Sequence, residues 1–379
     1  MVNISVIFVY VLIIGVLGFV FWRIRKSPIT DINQAVIDND IETVKECLGK
    51  GIDGDSLVTS LCSAAEHGHQ EIAELLLDYG ADINHGLEEE YGINPLLNAA
   101  INGHKKLVKM LIARGAKIGL HFAALQGNID VVRNYPYLEA KMNSIRNLGM
   151  TPLHCAALGN QREIAEIFLD LGADINFNTQ ACETPLHQAV NGKSTQVIEL
   201  LIERGADINI IGLIITPLQL AIKNDDLKIA ELLIAKGADV NAISHDLISP
   251  LHILARNKNA KVKLAELLIA NGADVNACAD KNWGTPLHFA ALNDNLAVAR
   301  VLLRHGANVD SKKSDGETAL HCVAWHGNLD FARLLIGYGA DVNSKTSPLG
   351  YTPLGKAQGY PAMTKLLLAN GATDYGWGD

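Results

Sequence analysis

Histidine is the residue type with the clearest catalytic potential in this sequence, which contains 13 of them. Its imidazole can bind a metal ion or transfer a proton near neutral pH. Five histidines occupy the same place in a recurring Thr-Pro-Leu-His motif or a close variant, namely His154, His187, His252, His288 and His321. A metal or catalytic site needs side chains that converge on one point, whereas equivalent residues of stacked repeats lie about one repeat apart. These histidines are therefore predicted to be structural, hydrogen-bonded residues.

The other reactive side chains give no stronger indication of catalysis. His67 and His69 lie close together where a turn between helices is expected, and a metal site there is not favoured. The aspartate that follows Gly-Ala, as in Asp174 and Asp207, is predicted to order a turn. The sequence contains no Gly-x-Ser-x-Gly, His-Glu-x-x-His or P-loop motif. We therefore expect no enzyme activity, no metal and no cofactor.

Composition narrows the remaining classes of function. The formal net charge of −9 argues against nucleic-acid binding, because that depends on Lys and Arg that neutralise phosphates. The 6 cysteines are scattered and include no Cys-x-x-Cys pair, so neither a zinc site nor a dense disulfide framework is expected. Buried free thiols in a reducing compartment are predicted instead. No small-molecule substrate is expected.

A repeat of roughly 33 residues extends over most of the chain. The triplet Gly-Ala-Asp, or a close variant, recurs with its glycine at positions 172, 205, 237, 272, 306, 339 and 371. A second motif keeps the same interval and reads TPLHCAA from 151, TPLHQAV from 184 and TPLHFAA from 285. The chain is therefore predicted to consist of one structural unit repeated many times.

Each repeat has an interpretable physical plan. The Thr is predicted to cap a helix whose first turn contains Pro, where the missing N–H costs nothing. A short turn and a second helix follow, with apolar residues at i, i+3 and i+4, as in EIAEIFLDLG at 163–172. The glycine that ends this helix, such as Gly172, suits a left-handed conformation. One copy cannot bury its own apolar face, so the copies must stack.

These motifs resemble those of the ankyrin-repeat family over residues 31–374, in about eleven copies. The resemblance implies an all-α ankyrin-repeat solenoid, in which helix pairs carry β-hairpin fingers at one edge. We call each connection between one copy and the next a finger. The resemblance also implies a concave groove, lined by finger tips and inner helices, that binds protein partners. Residues 375–379 form a short C-terminal tail.

Residues 1–22 are predicted to be a transmembrane signal anchor. This stretch has no charged side chain, and about 20 helical residues cross a hydrocarbon core of roughly 30 Å. The linker at 23–30 is basic because of Arg23, Arg25 and Lys26. The positive-inside rule then places the repeats in the cytoplasm. A cleaved signal peptide is the alternative, but the basic residues come after the apolar run and no Ala-x-Ala follows it.

The regular pattern breaks at residues 116–149. The finger before the fourth copy is predicted to be missing, and Pro136 should break that copy's second helix. This segment is interpreted either as a joint or binding ledge around Tyr135 and Tyr137, or as a decayed repeat that only bends the stack. A separate acidic finger at 85–93 is expected either to meet a basic partner or simply to be solvated.

The finger at 210–215 is unusual because it reads IIGLII and has neither a charge nor a hydroxyl. It is too short to cross a membrane. Its side chains either bind a partner or pack against the neighbouring fingers, and the sequence leaves both alternatives open. The predicted partner-binding residues lie on this finger, on the neighbouring fingers and on inner helices: Ile211, Leu213, Ile214, Leu220, Leu247, Ile253, Trp283, Phe289 and Trp325.

Taken as a whole, the sequence predicts a membrane-anchored scaffold that binds a protein partner and acts as an adaptor or tether. The alternative is an inhibitor or protective regulator that uses the same groove to cover the active site of one specific enzyme. Both hypotheses require a protein partner, and neither requires chemistry from this chain.

Overall fold

A computed structural model describes residues 28–87, 94–145, 149–179, 183–212, 214–279 and 284–373. These residues form α-helices joined by turns, and no β-strand occurs among them. The all-α prediction is therefore confirmed. The prediction of β-hairpin fingers is wrong for the described residues, because the described parts of the fingers contain turns and no pair of strands.

The described residues form two compact units: residues up to 156 together with 163–173, and residues 157–162 together with those from 174 onward. The helices up to the irregular copy are α1 (Pro28–Ile37), α2 (Ile41–Gly49), α3 (Gly54–His67), α4 (Gln70–Asp78), α5 (Pro95–Ile101), α6 (Lys105–Ala113), α7 (Leu120–Gln126), α8 (Ile129–Arg133) and α9 (Leu138–Lys141). They are followed by α10 (Pro152–Leu158) and α11 (Arg162–Asp170).

The second unit continues the alternation of inner and outer helices. Its helices are α12 (Pro185–Asn191), α13 (Thr195–Glu203), α14 (Pro217–Lys223), α15 (Leu227–Ala235), α16 (Pro250–Arg256), α17 (Val262–Ala270), α18 (Pro286–Leu292), α19 (Leu296–Arg304), α20 (Ala319–His326), α21 (Leu329–Gly337), α22 (Pro353–Lys356) and α23 (Pro361–Ala369). The inner helices, from α12 to α22 in alternation, pack one against the next. Stacking of copies within this unit is thus as the repeat predicts.

A reciprocal cap begins the inner helices α12, α14, α16, α18 and α20, at Thr or, in α16, at Ser. In α14 the Thr216 hydroxyl accepts a hydrogen bond from the Gln219 N–H, and the Gln219 side-chain oxygen accepts one from the Thr216 N–H at 3.0 Å. This arrangement satisfies two N–H groups that the first turn of a helix leaves unpaired. Pro217 follows the cap, where its missing N–H costs nothing. The predicted capping role of Thr is confirmed.

The outer helices end at a glycine in the left-handed conformation. Gly172 has a φ of 89°, which residues with a Cβ rarely adopt. The next N–H, of Ala173, donates to the Phe168 carbonyl at 2.9 Å and closes the helix end. The predicted helix cap at Gly172 is confirmed.

Neighbouring fingers of the second unit are joined through asparagine side chains. The Asn209 side-chain oxygen accepts a hydrogen bond from the Asp239 N–H, and that of Asn241 accepts one from the Asp274 N–H, both at 2.9 Å. The Asp239 carboxylate in turn accepts from the Asn241 N–H at 2.8 Å. The aspartate after Gly-Ala therefore orders its turn, as predicted, and holds the asparagine that reaches the next finger.

The irregular copy has a shortened second helix. α8 has 5 residues, whereas the outer helices α6 and α11 each have 9. It ends at Arg133, before Pro136, and Tyr137 then adopts a left-handed φ of 54°. The Tyr137 side chain is exposed and that of Tyr135 is half-buried. The interpretations as a joint, a binding ledge or a decayed repeat all remain hypotheses.

Several predicted segments lie outside the described residues. They are the anchor at 1–22 with the cations Arg23, Arg25 and Lys26, the acidic residues Glu88, Glu89 and Glu90, and the tail at 375–379. Within the ranges that the structure covers, no helix combines the length and the apolar character that a membrane span requires.

Candidate functional site

The repeated histidines join each copy to the next one through hydrogen bonds. In the copy that begins with α18, His288 Nδ1 accepts a hydrogen bond from the Thr285 N–H at 3.2 Å. Its Nε2 donates to the Glu317 carbonyl of the next finger at 3.1 Å. These two bonds require the neutral tautomer with its proton on Nε2, and burial lowers the pKa of His252 and of His288 to about 4. The prediction that these histidines are structural is confirmed.

Two more residues occupy the position that the motif histidine has in the other copies. His121 of α7 is buried, and its Nε2 contacts the carbonyls of Ser144 at 2.9 Å and Met150 at 3.1 Å. The sequence motif missed His121 because Ile118 and Gly119 stand where the motif has Thr and Pro. Gln219 takes the position in α14, and its amide donates to the Ile248 carbonyl at 2.9 Å. Its amide therefore reproduces the hydrogen bonds of a neutral histidine.

The other side chains that could bind a metal do not cluster in the described part of the chain. No group of three potential metal ligands occurs there. His67 and His69 stack with their ring centroids 5.8 Å apart. The thiols of Cys47, Cys62, Cys155 and Cys322 are buried as predicted, and burial raises the pKa of Cys62 and of Cys322 to about 12. Cys278 is exposed, contrary to the prediction, because it lies on a finger rather than in a helix core.

A groove of about 530 Å³ opens in the second unit between the fingers at 210–215 and 242–248 and the inner helices α14 and α16. We call it the central groove. Its apolar lining consists of Ile214, Ile215, Leu220, Ile248 and Ile253, and its polar side chains are those of Glu183, His187, Lys223, Asp246, Arg256 and Asn257. An apolar floor with a few polar groups at its margins is the usual composition of a binding site.

The two fingers that form the central groove are tied to each other through their backbones. The Gly212 N–H donates to the Ile215 carbonyl and the Ser244 N–H donates to the Ile248 carbonyl, each at 3.0 Å, so each finger closes on itself. The His245 N–H donates to the Ile214 carbonyl at 3.1 Å and joins the fingers. The groove wall is therefore held in place by backbone hydrogen bonds.

Apolar side chains on these fingers nevertheless face solvent. Ile214 is 42% exposed and Leu247 is 50% exposed. Leu247 also has a φ of 57°, a conformation that costs a bulky residue about 1–3 kcal/mol. The fingers are thus joined through their backbones while these apolar side chains stay accessible, and partner binding by the side chains stays a prediction.

Three of the predicted partner-binding residues come together in the central groove: Ile214, Leu220 and Ile253. Ile214 lies on the finger, and Ile253 is half-buried on α16. Leu220 is only 7% exposed, so it contributes to the floor of the groove and offers little surface of its own. Ile211 and Leu247 are exposed on the fingers but do not line the groove.

The other predicted residues lie elsewhere. Phe289 is buried, and its ring packs edge-on against the His252 ring at a centroid distance of 4.9 Å. Trp325, at the end of α20, is 63% exposed, and the Lys356 ammonium lies 5.6 Å from its ring centroid. Leu213 and Trp283 lie outside the described residues.

Charged residues of the central groove were missed by the sequence prediction, which followed apolar side chains only. Lys223 and Arg256 lie at the ends of α14 and α16, and both are exposed. Glu183 is half-buried and accepts a hydrogen bond from the Gln188 side chain at 2.5 Å. Burial raises the pKa of the Glu183 carboxyl, although this hydrogen bond and the charge of Lys223 act in the opposite direction. The repeat position shared by Lys223 and Arg256 was the signal that could have identified them.

Comparison with known proteins agrees with the repeat pattern. The family model described as ankyrin repeats (three copies) matches residues 32–119, 120–212, 251–346 and 312–376. The model for a single ankyrin repeat matches residues 215–245. The chain belongs to the ankyrin-repeat family. These repeats are protein-interaction scaffolds, and proteins built from them are typically not enzymes.

One solved structure shows how far this similarity extends. The crystal structure of the ankyrin repeat domain of Bcl-3, described as a unique member of the IκB protein family, is 28% identical in sequence to this ankyrin-repeat chain. The match covers 59% of this chain and 100% of that domain, with a TM-score of 0.53. No curated relative matches the sequence.

Proposed function

We propose that this ankyrin-repeat protein binds a segment of a partner protein in its central groove and acts as an adaptor or tether. The observation that carries the proposal is the apolar wall formed by Ile214 and Ile215, of which Ile214 is accessible, above the floor formed by Leu220 and Ile253. Monomeric proteins rarely leave clustered apolar side chains accessible unless the surface binds something.

Energetics set the expected strength of this interaction. Fully burying one Ile or Leu side chain contributes roughly 1.5–3 kcal/mol. Burial of three such side chains of a partner in the central groove therefore yields about 5–9 kcal/mol before the costs of association are subtracted. That range favours a micromolar interaction, unless further contacts along the inner helices add to it.

The same proposal places the repeats at a membrane. Residues 1–22 would anchor the chain, and Arg23, Arg25 and Lys26 would keep the repeats on the cytoplasmic side. The support for this part is the uncharged apolar run and the basic residues that follow it. A tether needs such an anchor, whereas groove binding by itself does not.

Site-specific photocrosslinking in cells tests groove binding directly. A benzophenone amino acid in place of Ile214 should crosslink to one distinct protein, because its side chain faces the central groove. The matched control places the same amino acid at Ile112 on α6, which is 41% exposed and lies far along the chain from the groove residues. Identical crosslinking patterns from both positions, or none from Ile214, would show that the groove is not the binding surface.

An inhibitor or protective regulator remains the alternative within the same binding mode. It becomes the better description if the crosslinked partner is an enzyme whose turnover falls in proportion to the added ankyrin-repeat protein. A partner whose activity does not change on binding favours the adaptor or tether. The turnover assay therefore separates the two hypotheses after the partner is known.

A further inference from the structure

Two cations without an ion-pair partner among the described residues lie at the helix ends that line the central groove. Lys223 and Arg256 occupy equivalent positions, each seven residues after the capping Thr216 or Ser249. Both side chains are exposed and both line the groove. Neither forms an ion pair or a side-chain hydrogen bond with another residue that the structure describes, although the charge of Lys223 acts on Glu183.

Several other cations of the second unit form ion pairs, whereas Lys223 and Arg256 combine the lack of one among the described residues with a place in the groove. Lys258 pairs with Asp294, and Lys261 pairs with Asp225 at 3.3 Å. A cation without a local partner at the edge of an apolar groove is available to a carboxylate of a bound molecule, and a charge-assisted hydrogen bond of this kind is strong.

The next two copies carry large apolar residues at the same repeat position. Leu292 is 39% exposed at the end of α18, and Trp325 is 63% exposed at the end of α20. The ends of α14, α16, α18 and α20 therefore form a row that carries two cations, then an aliphatic residue and then an aromatic residue. The Lys356 ammonium near the Trp325 ring is held by Glu317 at 2.7 Å, so this cation is already neutralised.

The acidic residues of the groove lie on different elements from its two cations. Glu183 and Asp246 belong to fingers, whereas Lys223 and Arg256 belong to helix ends. A uniformly anionic ligand such as a nucleic acid would meet these carboxylates as well as the two cations. A peptide with an isolated acidic residue can place its charge at the helix ends and its apolar side chains elsewhere. Charge complementarity thus favours a peptide segment.

The spacing of the row sets the spacing required in that segment. Adjacent packed helices lie about 8–10 Å apart, and an extended chain advances about 3.3 Å per residue. One repeat therefore corresponds to about three residues of an extended partner, and two repeats correspond to about six. Arg256 is one repeat from Leu292 and two repeats from Trp325.

From this row we infer that the groove binds an extended segment of a partner protein that carries an acidic residue about three to six positions away from a large apolar residue. The acidic side chain pairs with Lys223 and Arg256, and the apolar side chain packs on Leu292 or Trp325. This inference rests on the proposed function, because it specifies the partner for the same groove.

Selection from a random dodecapeptide display library, with the full-length protein in detergent as the target, tests the inference. Selected peptides should share an Asp or Glu three to six residues from Leu, Phe or Trp. Lys223→Glu combined with Arg256→Glu should weaken their binding at least tenfold. Changing the acidic residue of the peptide to Lys should restore binding to this double variant, which a merely structural effect would not do.

The matched control is Lys228→Glu combined with Lys263→Glu, which changes the net charge equally on the outer helices α15 and α17. Both of these lysines are exposed and neither lines the groove, so peptide affinity should not change. Peptides that lose binding on Ile214→Asp, yet lack an acidic residue and tolerate the Lys223 and Arg256 reversal, would overturn this inference and leave the proposed groove standing. Peptides insensitive to Ile214→Asp would overturn both.

Discussion

At the scale of single residues, the repeated histidines act as neutral connectors. His252 and His288 each accept a backbone N–H of their own copy and donate to the carbonyl of the next one. Both bonds are possible only when the ring is neutral, because a protonated Nδ1 cannot accept. Gln219 makes equivalent contacts with an amide that does not titrate. The same repeat position is therefore occupied by a side chain that titrates in His252 and His288 and by one that does not in Gln219.

This comparison predicts the effect of His288→Gln. The pKa of His288 is about 4 in the folded protein, against about 6.5 in an unfolded chain. Below pH 6.5 the unfolded state binds a proton that the folded state does not, so stability falls as the pH drops from 6.5 towards 4. His288→Gln should keep the urea midpoint at pH 7 and lose less stability at pH 4.5 than the wild type, by about 2–3 kcal/mol.

His288→Leu is the control for this prediction. It has a similar size but removes both hydrogen bonds, so the free energy of unfolding should fall by about 1–3 kcal/mol at pH 7 as well. A loss of stability between pH 7 and pH 4.5 that is the same in His288→Gln and in the wild type would show that folding does not lower the pKa of His288.

At the scale of helices and fingers, the sequence predicted the helices well and the fingers poorly. Each helix is encoded locally and repeatedly, by a capping Thr, a Pro in the first turn and a glycine such as Gly172 at the end. The accessibility of Ile214 has a different origin, because it depends on how two neighbouring fingers are joined. The His245 N–H to Ile214 carbonyl bond and the left-handed φ of Leu247 carry no signature in residue types.

The difference between locally encoded features and features that depend on packing also explains which site residues could be predicted. Leu220 and Phe289 were chosen because inner helices should face the groove, yet both are buried among their neighbours. Lys223 and Arg256 were missed because a search for apolar side chains ignores cations. Their shared repeat position was visible in the sequence, but its place at the groove edge depends on the stacking of α14 on α16.

At the scale of the whole molecule, the second unit would supply the binding surface and the N-terminal segment would supply its location. Deletion of residues 1–22 should therefore move the protein from the membrane fraction to the supernatant after high-speed centrifugation. Replacing Arg23, Arg25 and Lys26 with Ala is the companion variant, and it should retain membrane association but disturb the orientation. Recovery of a mature wild-type chain that begins near Ser27 would instead identify a cleaved signal peptide.

The central claim is that the central groove, rather than apolar surface in general, binds the partner. Its most direct test is the affinity of full-length Ile214→Asp for the crosslinked partner, measured beside Ile112→Asp, since the two isoleucines are 42% and 41% exposed. We expect at least a tenfold loss, about 1.4 kcal/mol, for Ile214→Asp only, with the urea midpoint almost unchanged. Equal losses in both variants, or a drop of several kcal/mol in the stability of Ile214→Asp, would contradict it.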